Sequence, residues 1–199
     1  MLRIEHLQTE TITVDNLSIE PATCLAITGP SGSGKSRFLR ALVDIDPNDG
    51  TVWLDESERS TMPAPQWRQA IAYVPAESAW WSDRVGDHFA SDVDISEGLA
   101  KLGLPPDCMD WPVARLSTGE KQRLALLRAL APEPSILALD EPTSALDEGA
   151  TELVENYLRE LLKAGKTLLL VSHDARQADA LADTRIRFEN GIITERISA

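Results

Sequence analysis

A glycine-rich segment at residues 29–36, GPSGSGKS, ends in a lysine and a serine at the spacing G-x-x-x-x-G-K-S. It lies between the apolar run 23–28 and a helical pattern, so its backbone N–H groups can converge on phosphate oxygens at a helix start. An ordinary glycine turn would explain the glycines but not the Lys-Ser pair. The segment therefore predicts a nucleotide phosphate loop formed by Gly29, Pro30, Ser31, Gly32, Ser33, Gly34, Lys35, Ser36 and Arg37.

Two adjacent carboxylates, Asp140 and Glu141, follow the apolar run ILAL. Strand tips beside a phosphate loop are where open α/β sheets place their chemistry. Asp140 and Ser36 are predicted to hold Mg²⁺, while Lys35 neutralises the β- and γ-phosphates. Glu141 points in a different direction, and we expect it to orient or deprotonate the water that attacks the γ-phosphate.

A second helix start also combines hydroxyl groups with glycine. Residues 116–130 (LSTGEKQRLALLRAL) form an amphipathic pattern whose first turn contains Ser117, Thr118 and Gly119. Hydroxyl groups and free N–H groups at a helix N-terminus attract anions. The chain is therefore predicted to carry two anion-binding helix starts.

Short apolar runs alternate with helical patterns along the chain. Buried parallel strands are predicted at 23–28, 136–140 and 167–172, and an amphipathic helix at 150–163. Strand, helix and strand in that order indicate a βαβ crossover. Two hairpin patterns, NDGTVWLDE after the first helix and RIRFENGIITERI near the end, add antiparallel strands. The prediction is an α/β fold with a mainly parallel core sheet, flanking helices and antiparallel strands.

Length and composition narrow the function classes. The 199 residues, 43% of them hydrophobic, suffice for one domain with its own core. Cys24 and Cys108 are far apart and have no partners at metal-ligand spacing, which favours a reducing cytoplasm. A net charge of −13 opposes a nucleic-acid partner. The longest apolar runs are too short to cross a bilayer, so we expect no membrane span.

With these motifs in order, the chain resembles the ATP-binding cassette (ABC) ATPases, the nucleotide-binding subunits of ABC transporters. GPSGSGKS resembles the Walker A motif, LSTGE the signature motif, ILALDEP the Walker B motif, and His173 the switch histidine. The resemblance implies a P-loop NTPase of the ABC type. It also implies one domain over 1–199 with a compact helical subdomain at about 77–130. The D-loop of the family matches Ser144, Ala145, Leu146 and Asp147.

The resemblance further implies an enzyme that hydrolyses ATP with Mg²⁺ and powers a membrane transporter, with Lys35, Glu141 and His173 as catalytic residues. Two subunits, identical or different, would enclose two ATP molecules. The signature residues that would contact the ATP of the opposite subunit are Ser117, Thr118, Gly119 and Glu120.

In such a transporter the chain would lie on the inner face of the cell membrane, bound to a transmembrane permease subunit. Two alternatives stay open. One is a soluble ABC ATPase that is not engaged in transport, and the other is a degenerate nucleotide-binding half of a heterodimer that serves a regulatory role.

The chain departs from the family at two nucleotide contacts. The family stacks adenine on an aromatic residue upstream of Walker A, but the matching position is taken as Thr9, and no aromatic residue precedes Phe38. The family also places a glutamine where this chain has Ala76. Glu77 is a further candidate magnesium ligand, although an exposed loop glutamate is most often simply solvated.

The segment after Ala76 is rich in aromatic residues. Tyr73 ends a predicted strand and is expected to pack in the core. Trp80 and Trp81 are adjacent, so in an extended segment they would point to opposite faces and one would stay accessible. The alternative is that both are buried, against Trp67. In the family this segment helps to form the groove for a coupling helix, so Trp80 or Trp81 is predicted to dock the membrane partner.

Overall fold

A computed structural model describes residues 1–198, so the last residue of the predicted 1–199 domain lies outside the described residues. The chain forms two sheets and six α-helices within that range. The strands are β1 (Leu2–Gln8), β2 (Thr13–Ile19), β3 (Cys24–Thr28), β4 (Asp49–Leu54), β5 (Ser57–Glu58), β6 (Ile71–Val74), β7 (Ile136–Asp140), β8 (Thr167–Val171), β9 (Thr184–Glu189) and β10 (Ile192–Ser198). The helices are α1 (Lys35–Leu42), α2 (Ala64–Ala70), α3 (Ser96–Lys101), α4 (Thr118–Leu130), α5 (Glu148–Lys163) and α6 (Ala175–Leu181).

The larger sheet is the predicted parallel core. Its strand order is β10-β9-β3-β8-β7-β6, and all neighbours are parallel except β10 and β9. Every residue of β7 and β8 is buried, because helices or the second sheet cover both faces. The carboxyl ends of β3, β7 and β8 meet at one edge, which brings together the three chain segments that carry the predicted site.

Alternate residues of the parallel strands pack into two separate cores. In β7, Ile136 and Ala138 join one hydrophobic cluster, whereas Leu137 and Leu139 join the other. The first cluster also contains the buried side chains of β1, β2 and α1, and the second contains those of α4 and α5. The near-continuous apolar runs in the sequence therefore correspond to strands buried on both faces, as predicted.

The smaller sheet is antiparallel, with strand order β2-β1-β4-β5. The hairpin predicted from NDGTVWLDE is present only as the pairing of β4 with the short β5. The segment Asn48–Gly50 does not turn back onto a preceding strand, because β4 pairs instead with β1 at the start of the chain. The second predicted hairpin is confirmed: β9 and β10 are joined by Asn190 and Gly191, both with positive φ, as a type I′ turn requires.

The segment predicted as a helical subdomain, 77–130, contains little regular helix before α4. It has the short α3 and three 3₁₀ segments at Val85–His88, Pro106–Asp110 and Val113–Arg115. Its apolar side chains, among them Val85, Leu99 and Cys108, belong to the same cluster as α4 and α5. The division into a core and a subdomain stays a prediction.

In the described range, 1–198, none of the helices combines the length and apolar character needed to cross a bilayer.

Gly191 allows a direct test of how the hairpin packs against the rest of the fold. A Cβ on Gly191 would lie 1.9 Å from the backbone oxygen of Thr11, whereas a Cβ on Gly165 would meet nothing within 4 Å. Both glycines have φ near +85°, at +81° and +89°, so alanine is strained by about 1–2 kcal/mol at either position. The clash at Gly191 should add roughly 1–3 kcal/mol.

Urea unfolding of Gly191→Ala and Gly165→Ala measures this difference, since the left-handed strain is common to both. The Gly191 variant is expected to unfold at clearly lower urea. Equal midpoints would show that the turn does not pack closely on the Thr11 segment.

Candidate active site

A cleft of about 540 Å³ lies over the predicted phosphate loop. Residues 31–37 form its floor, at the point where β3 ends and α1 begins. Gly34 precedes α1 with φ of 108°, a conformation that glycine adopts without strain, and this lets the loop wrap close to the helix N-terminus. The remaining lining residues come from other segments: Thr11, Arg40, Glu141, His173, Asn190 and Gly191.

Lys35 is held inside the loop. Its Nζ donates hydrogen bonds of 2.9 Å to the carbonyl oxygens of Gly29 and Pro30, and the residue is only 5% exposed. Burial lowers the pKa of Lys35, while the nearby carboxylates of Glu141 and Asp140 act in the opposite direction. The loop thus presents one buried cation to the cleft, where a phosphate oxygen could replace the carbonyls as its acceptor.

Asp140 joins two hydroxyl groups at the end of β7. Ser36 Oγ donates to Asp140 Oδ1 at 3.1 Å, and the Tyr73 hydroxyl donates to Asp140 Oδ2 at 3.0 Å. Burial and the Asp140 carboxylate raise the pKa of Tyr73, so its hydroxyl stays a donor. The prediction that Tyr73 would pack in the core is met only by its ring, since its hydroxyl reaches the site.

Glu141 turns away from Asp140 through a left-handed backbone, with φ of 52°. A non-glycine residue rarely adopts this conformation, and such strain is often found at functional positions. The backbone N–H of Glu141 donates to the Val171 carbonyl at 2.9 Å, and its Oε1 lies 2.9 Å from His173 Nε2. The structure therefore places Glu141 and His173 together at the cleft, while Asp140 faces Ser36.

Gln122, a buried residue of α4, also belongs to the site and was not predicted from the sequence. Its amide nitrogen donates to the Glu141 carbonyl at 2.7 Å, and its amide oxygen accepts from the Ala145 N–H at 3.4 Å. One side chain thus links α4 to the Glu141 segment, whose carboxylate is predicted to be catalytic, and to the predicted D-loop. The signal available in the sequence was a polar residue on the otherwise apolar buried face of a predicted helix.

The signature residues do not line the cleft of their own chain. Ser117 caps α4 in a reciprocal capping box: its Oγ accepts from the Glu120 N–H, and the Glu120 carboxylate accepts from the Ser117 N–H. Thr118 is exposed, and a Cβ on Gly119 would lie 2.9 Å from the Leu146 side chain. The start of α4 therefore packs against the D-loop of the same chain.

The D-loop itself is fixed at both ends. Ser144 Oγ donates to the Glu141 carbonyl at 3.1 Å, and Asp147 caps α5 by accepting from the Ala150 N–H at 2.8 Å. Between them, Ala145 is bonded to Gln122 as described above. All the predicted D-loop residues lie on a short connection between β7 and α5.

Thr9, the residue matched to the adenine-stacking position, does not line this cleft but a smaller pocket that shares Arg37 and Arg40 with it. Its hydroxyl accepts from the N–H groups of Thr11 and Ile12, so Thr9 shapes the turn between β1 and β2. Thr11, two residues later, lines the cleft and accepts a hydrogen bond from Arg37 Nη1.

Ala76 and Glu77 also lie outside the cleft lining. Glu77 is exposed, which gives no geometric support to its predicted role as a magnesium ligand. Among residues 1–198, no cluster of three or more Asp, Glu, His or Cys side chains is placed to hold a metal ion. The oxygen ligands that the structure does bring together are those of Ser36 and Asp140.

Trp80 and Trp81 lie on the same side of the chain, so the prediction of opposite faces was wrong. Both rings contact the ring of His88, with centroids 4.7 and 4.6 Å apart, and the Arg128 guanidinium lies 4.8 and 4.7 Å from the two tryptophan centroids. The segment is irregular rather than extended. Trp80 is half-buried and Trp81 is 70% exposed, while Trp67 is fully buried in the other core cluster.

A protein-family model described as ABC transporter matches residues 12–144. Among curated proteins, the chain is 32% identical to the arginine transport ATP-binding protein ArtM of Bacillus subtilis, covering 98% of this chain and 90% of that protein. It is 36% identical to the aliphatic sulfonates import ATP-binding protein SsuB of Cupriavidus necator, over 92% of this chain and 63% of that protein. It is also 36% identical to the Fe(3+) ions import ATP-binding protein FbpC of Streptomyces coelicolor, covering 90% and 55%.

Solved structures share the fold. A dimeric ATP-binding cassette in a post-hydrolysis state with ADP and Pi superposes with a TM-score of 0.83 at 23% identity, covering 100% of this chain and 98% of that one. An ATP-binding subunit of an ABC transporter gives 0.87 at 18% identity, covering 99% and 89%. These likenesses confirm the predicted P-loop fold class. The family model covers more than half of the chain, which therefore belongs to the ABC transporter family, as one of its ATPase subunits.

Proposed function

We propose that the chain binds ATP with Mg²⁺ in the cleft over the phosphate loop and hydrolyses it there. The observation that carries this proposal is that Lys35, Ser36 and the Glu141–His173 pair line one cleft, with the buried carboxylate of Asp140 directly behind Ser36 and bonded to it. Lys35 supplies a positive charge for the phosphates, Ser36 and Asp140 supply oxygen ligands for the metal, and Glu141 supplies a base next to a histidine. They come from the ends of β3, β7 and β8, which the parallel sheet holds at one edge.

The cleft fits a triphosphate in further ways. Ser33 Oγ is buried and lacks a hydrogen-bond partner within the described residues, although it lies in the loop that lines the cleft. A buried hydroxyl without a partner is costly, and a phosphate oxygen would satisfy it. Mg²⁺ usually takes one or two protein oxygens and keeps several waters, which suits the Ser36 and Asp140 oxygens. The bound ion would neutralise charge on the β- and γ-phosphates.

Each side chain then has a distinct role. Lys35 binds the β- and γ-phosphates, and the N–H groups of the loop orient them. Glu141 accepts a proton from the attacking water or orients it, and His173 holds the Glu141 carboxylate at the cleft. Gln122 and the Val171 carbonyl fix the backbone of Glu141 from either side.

The complete site requires a second copy or a related subunit. None of the signature residues, Ser117 to Glu120, lines the cleft of its own chain. They stand instead at the start of α4, where the first N–H groups of the helix can receive an anion from another molecule. The Ser117 hydroxyl would join them by leaving the Glu120 carboxylate, to which it donates at 2.8 Å. We propose that two subunits close head to tail on two ATP molecules, with Ser117 and Gly119 contacting the γ-phosphate held by Lys35 of the other subunit.

The proposed setting is a membrane transporter in which this chain, on the cytoplasmic face, drives a permease subunit. The relatives are named for arginine, Fe(3+) and aliphatic sulfonates, so their names support transport but assign no cargo to this chain. A soluble ABC ATPase working on nucleic acid is disfavoured by the net charge of −13. A degenerate regulatory half is disfavoured by the intact pairing of Glu141 with His173 and of Ser36 with Asp140.

Glu141→Gln is expected to bind ATP with little change and to lose about 10²–10⁴-fold in turnover, because the amide cannot accept the water proton. Lys35→Ala should instead weaken ATP binding itself, since the loop loses its buried cation. Phosphate release and ATP titration measure the two effects. Glu152→Gln, an exposed carboxylate on α5, is the matched control and should behave as the wild type. Wild-type turnover in Glu141→Gln would remove Glu141 from the catalytic role.

The closed dimer is expected in Glu141→Gln protein with ATP and Mg²⁺, where light scattering should give twice the monomer mass. Adding Ser117→Asp should abolish that dimer, since a carboxylate would face the γ-phosphate of the other subunit. Adding Ser117→Asn is the control, because asparagine caps the helix as well as aspartate without the charge. Dimers that survive Ser117→Asp would contradict the head-to-tail arrangement.

Trp81 is proposed as the docking residue for the membrane subunit, because an exposed tryptophan held by Arg128 and His88 is a rigid anchor. Trp81→Ala should reduce binding to the purified membrane subunit by at least about tenfold, as expected for an interface hot spot. The variant should keep the fold and the basal ATPase rate. Ile192→Ala, at a side chain 50% exposed elsewhere, is the control. Unchanged binding by Trp81→Ala would refute the docking role.

A further inference from the structure

The nucleotide cleft has two chemically different ends. Glu141 and His173 lie at the carboxyl ends of β7 and β8, where the γ-phosphate chemistry is proposed. The other wall is made by Thr11 and by the Asn190–Gly191 turn. The Gly191 N–H donates to the Ser33 carbonyl at 3.0 Å, so this turn lies directly against the phosphate loop. A nucleotide whose terminal phosphate faces Glu141 therefore projects its base toward the Thr11 wall.

In the described part of the chain no Phe, Tyr or Trp side chain lines the cleft, and the one histidine, His173, lies at the opposite end beside Glu141. The planar group found on the Thr11 wall is the guanidinium of Arg37, whose Nη1 donates to Thr11 Oγ1. Arg37 is the last residue of the predicted phosphate loop and lies on the first turn of α1. Within residues 1–198, Arg37 makes no ion pair with a carboxylate, so its planar face and remaining N–H groups are not committed to an acidic partner.

Arg40, one turn further along α1, provides the contrast. Its guanidinium donates two hydrogen bonds to Asp46 Oδ1, of 3.1 and 2.6 Å. That pairing raises the pKa of Arg40 and fixes the side chain toward the Asp46 loop. Arg37 and Arg40 thus carry the same charge at the edge of the same cleft. The Arg37 guanidinium is held by a neutral hydroxyl, whereas that of Arg40 is held by a carboxylate.

We infer that Arg37, oriented by Thr11, stacks its guanidinium on the base of the bound nucleotide and so takes the place of an aromatic ring. This inference rests on the proposed ATP-binding function and adds the residue that holds the base. A guanidinium is planar and weakly hydrated, and it stacks on π-faces of bases in other proteins. The hydroxyl of Thr11 restricts its rotation, which lowers the entropic cost of presenting one face to the cleft.

The alternative is that Arg37 serves only as a second phosphate cation beside Lys35. The two roles differ in which ligand they favour. A phosphate contact strengthens binding of any triphosphate, whereas stacking strengthens binding only of a triphosphate that carries a base. Inorganic tripolyphosphate is therefore the probe that separates them, and the ratio of its dissociation constant to that of ATP reports the contribution of the base.

Isothermal titration of the full chain with ATP and with tripolyphosphate, in buffer with EDTA to prevent hydrolysis, gives this ratio. Arg37→Gln should lower the ratio about three- to thirtyfold, the range expected when a cation–π contact is lost. Arg37→Lys should keep the wild-type affinity for tripolyphosphate and still lower the ratio, because an ammonium has no planar face. Thr11→Val, which removes only the orienting hydroxyl, should lower it by less. Arg40→Gln removes the same charge one turn away and should leave the ratio unchanged.

Several results would overturn the inference. Equal weakening of both ligands in Arg37→Gln would make Arg37 a phosphate contact, and a wild-type ratio in Arg37→Lys would show that charge alone is needed. If Arg40→Gln lowered the ratio of dissociation constants as much as Arg37→Gln, the effect would be general electrostatics and not stacking. If the wild-type protein bound ATP and tripolyphosphate equally, the proposed nucleotide binding would stand, but the base would contribute nothing and Arg37 could not be its contact. Wild-type protein that binds neither ligand in EDTA, together with Glu141→Gln protein that binds no ATP with Mg²⁺, would refute the proposed function itself.

Discussion

The carboxylate of Asp140 is the contact on which the site depends. It is 4% exposed at the end of β7 and accepts hydrogen bonds from Ser36 on α1 and Tyr73 on β6. A buried carboxylate without such partners would be strongly disfavoured, so the two hydroxyls stabilise its charge. In doing so they fix the start of α1, and with it the phosphate loop, against the edge of the parallel sheet.

Gln122 connects this edge to the rest of the chain in a similar way. A buried amide must satisfy both its donor and its acceptor, and here it does so with the backbone of Glu141 and of Ala145. The start of α4, which carries the predicted signature residues, is therefore tied to the Glu141 segment and to the predicted D-loop. In the proposed dimer, the start of α4 and the Glu141 segment of one subunit would face different nucleotides. Within that subunit the Gln122 hydrogen bonds join them.

The sequence was informative where function depends on residues that are adjacent in the chain. The phosphate loop, the Asp140-Glu141 pair and the parallel strands were predicted from spacing and apolar runs, and the structure has the strands within a residue or two. It was uninformative where a contact joins distant segments, as for Tyr73 with Asp140. The predicted orientation of Trp80 and Trp81 was wrong for a related reason. An irregular loop has no side-chain period, and the ring positions are set by contacts with His88 and Arg128, which are distant or irregularly placed in the sequence.

Two kinds of contact at the cleft have different consequences for ligand binding. The backbone of Glu141 is anchored by the Val171 carbonyl and the Gln122 amide, which a nucleotide would not replace. The contacts of Lys35 with loop carbonyls and of Ser36 with Asp140 are instead made by groups that phosphate and magnesium would bind. In the proposed function, entry of the nucleotide would exchange these side-chain partners and leave the anchors of the Glu141 backbone in place. The backbone of Glu141 would then need no reorganisation when the substrate binds.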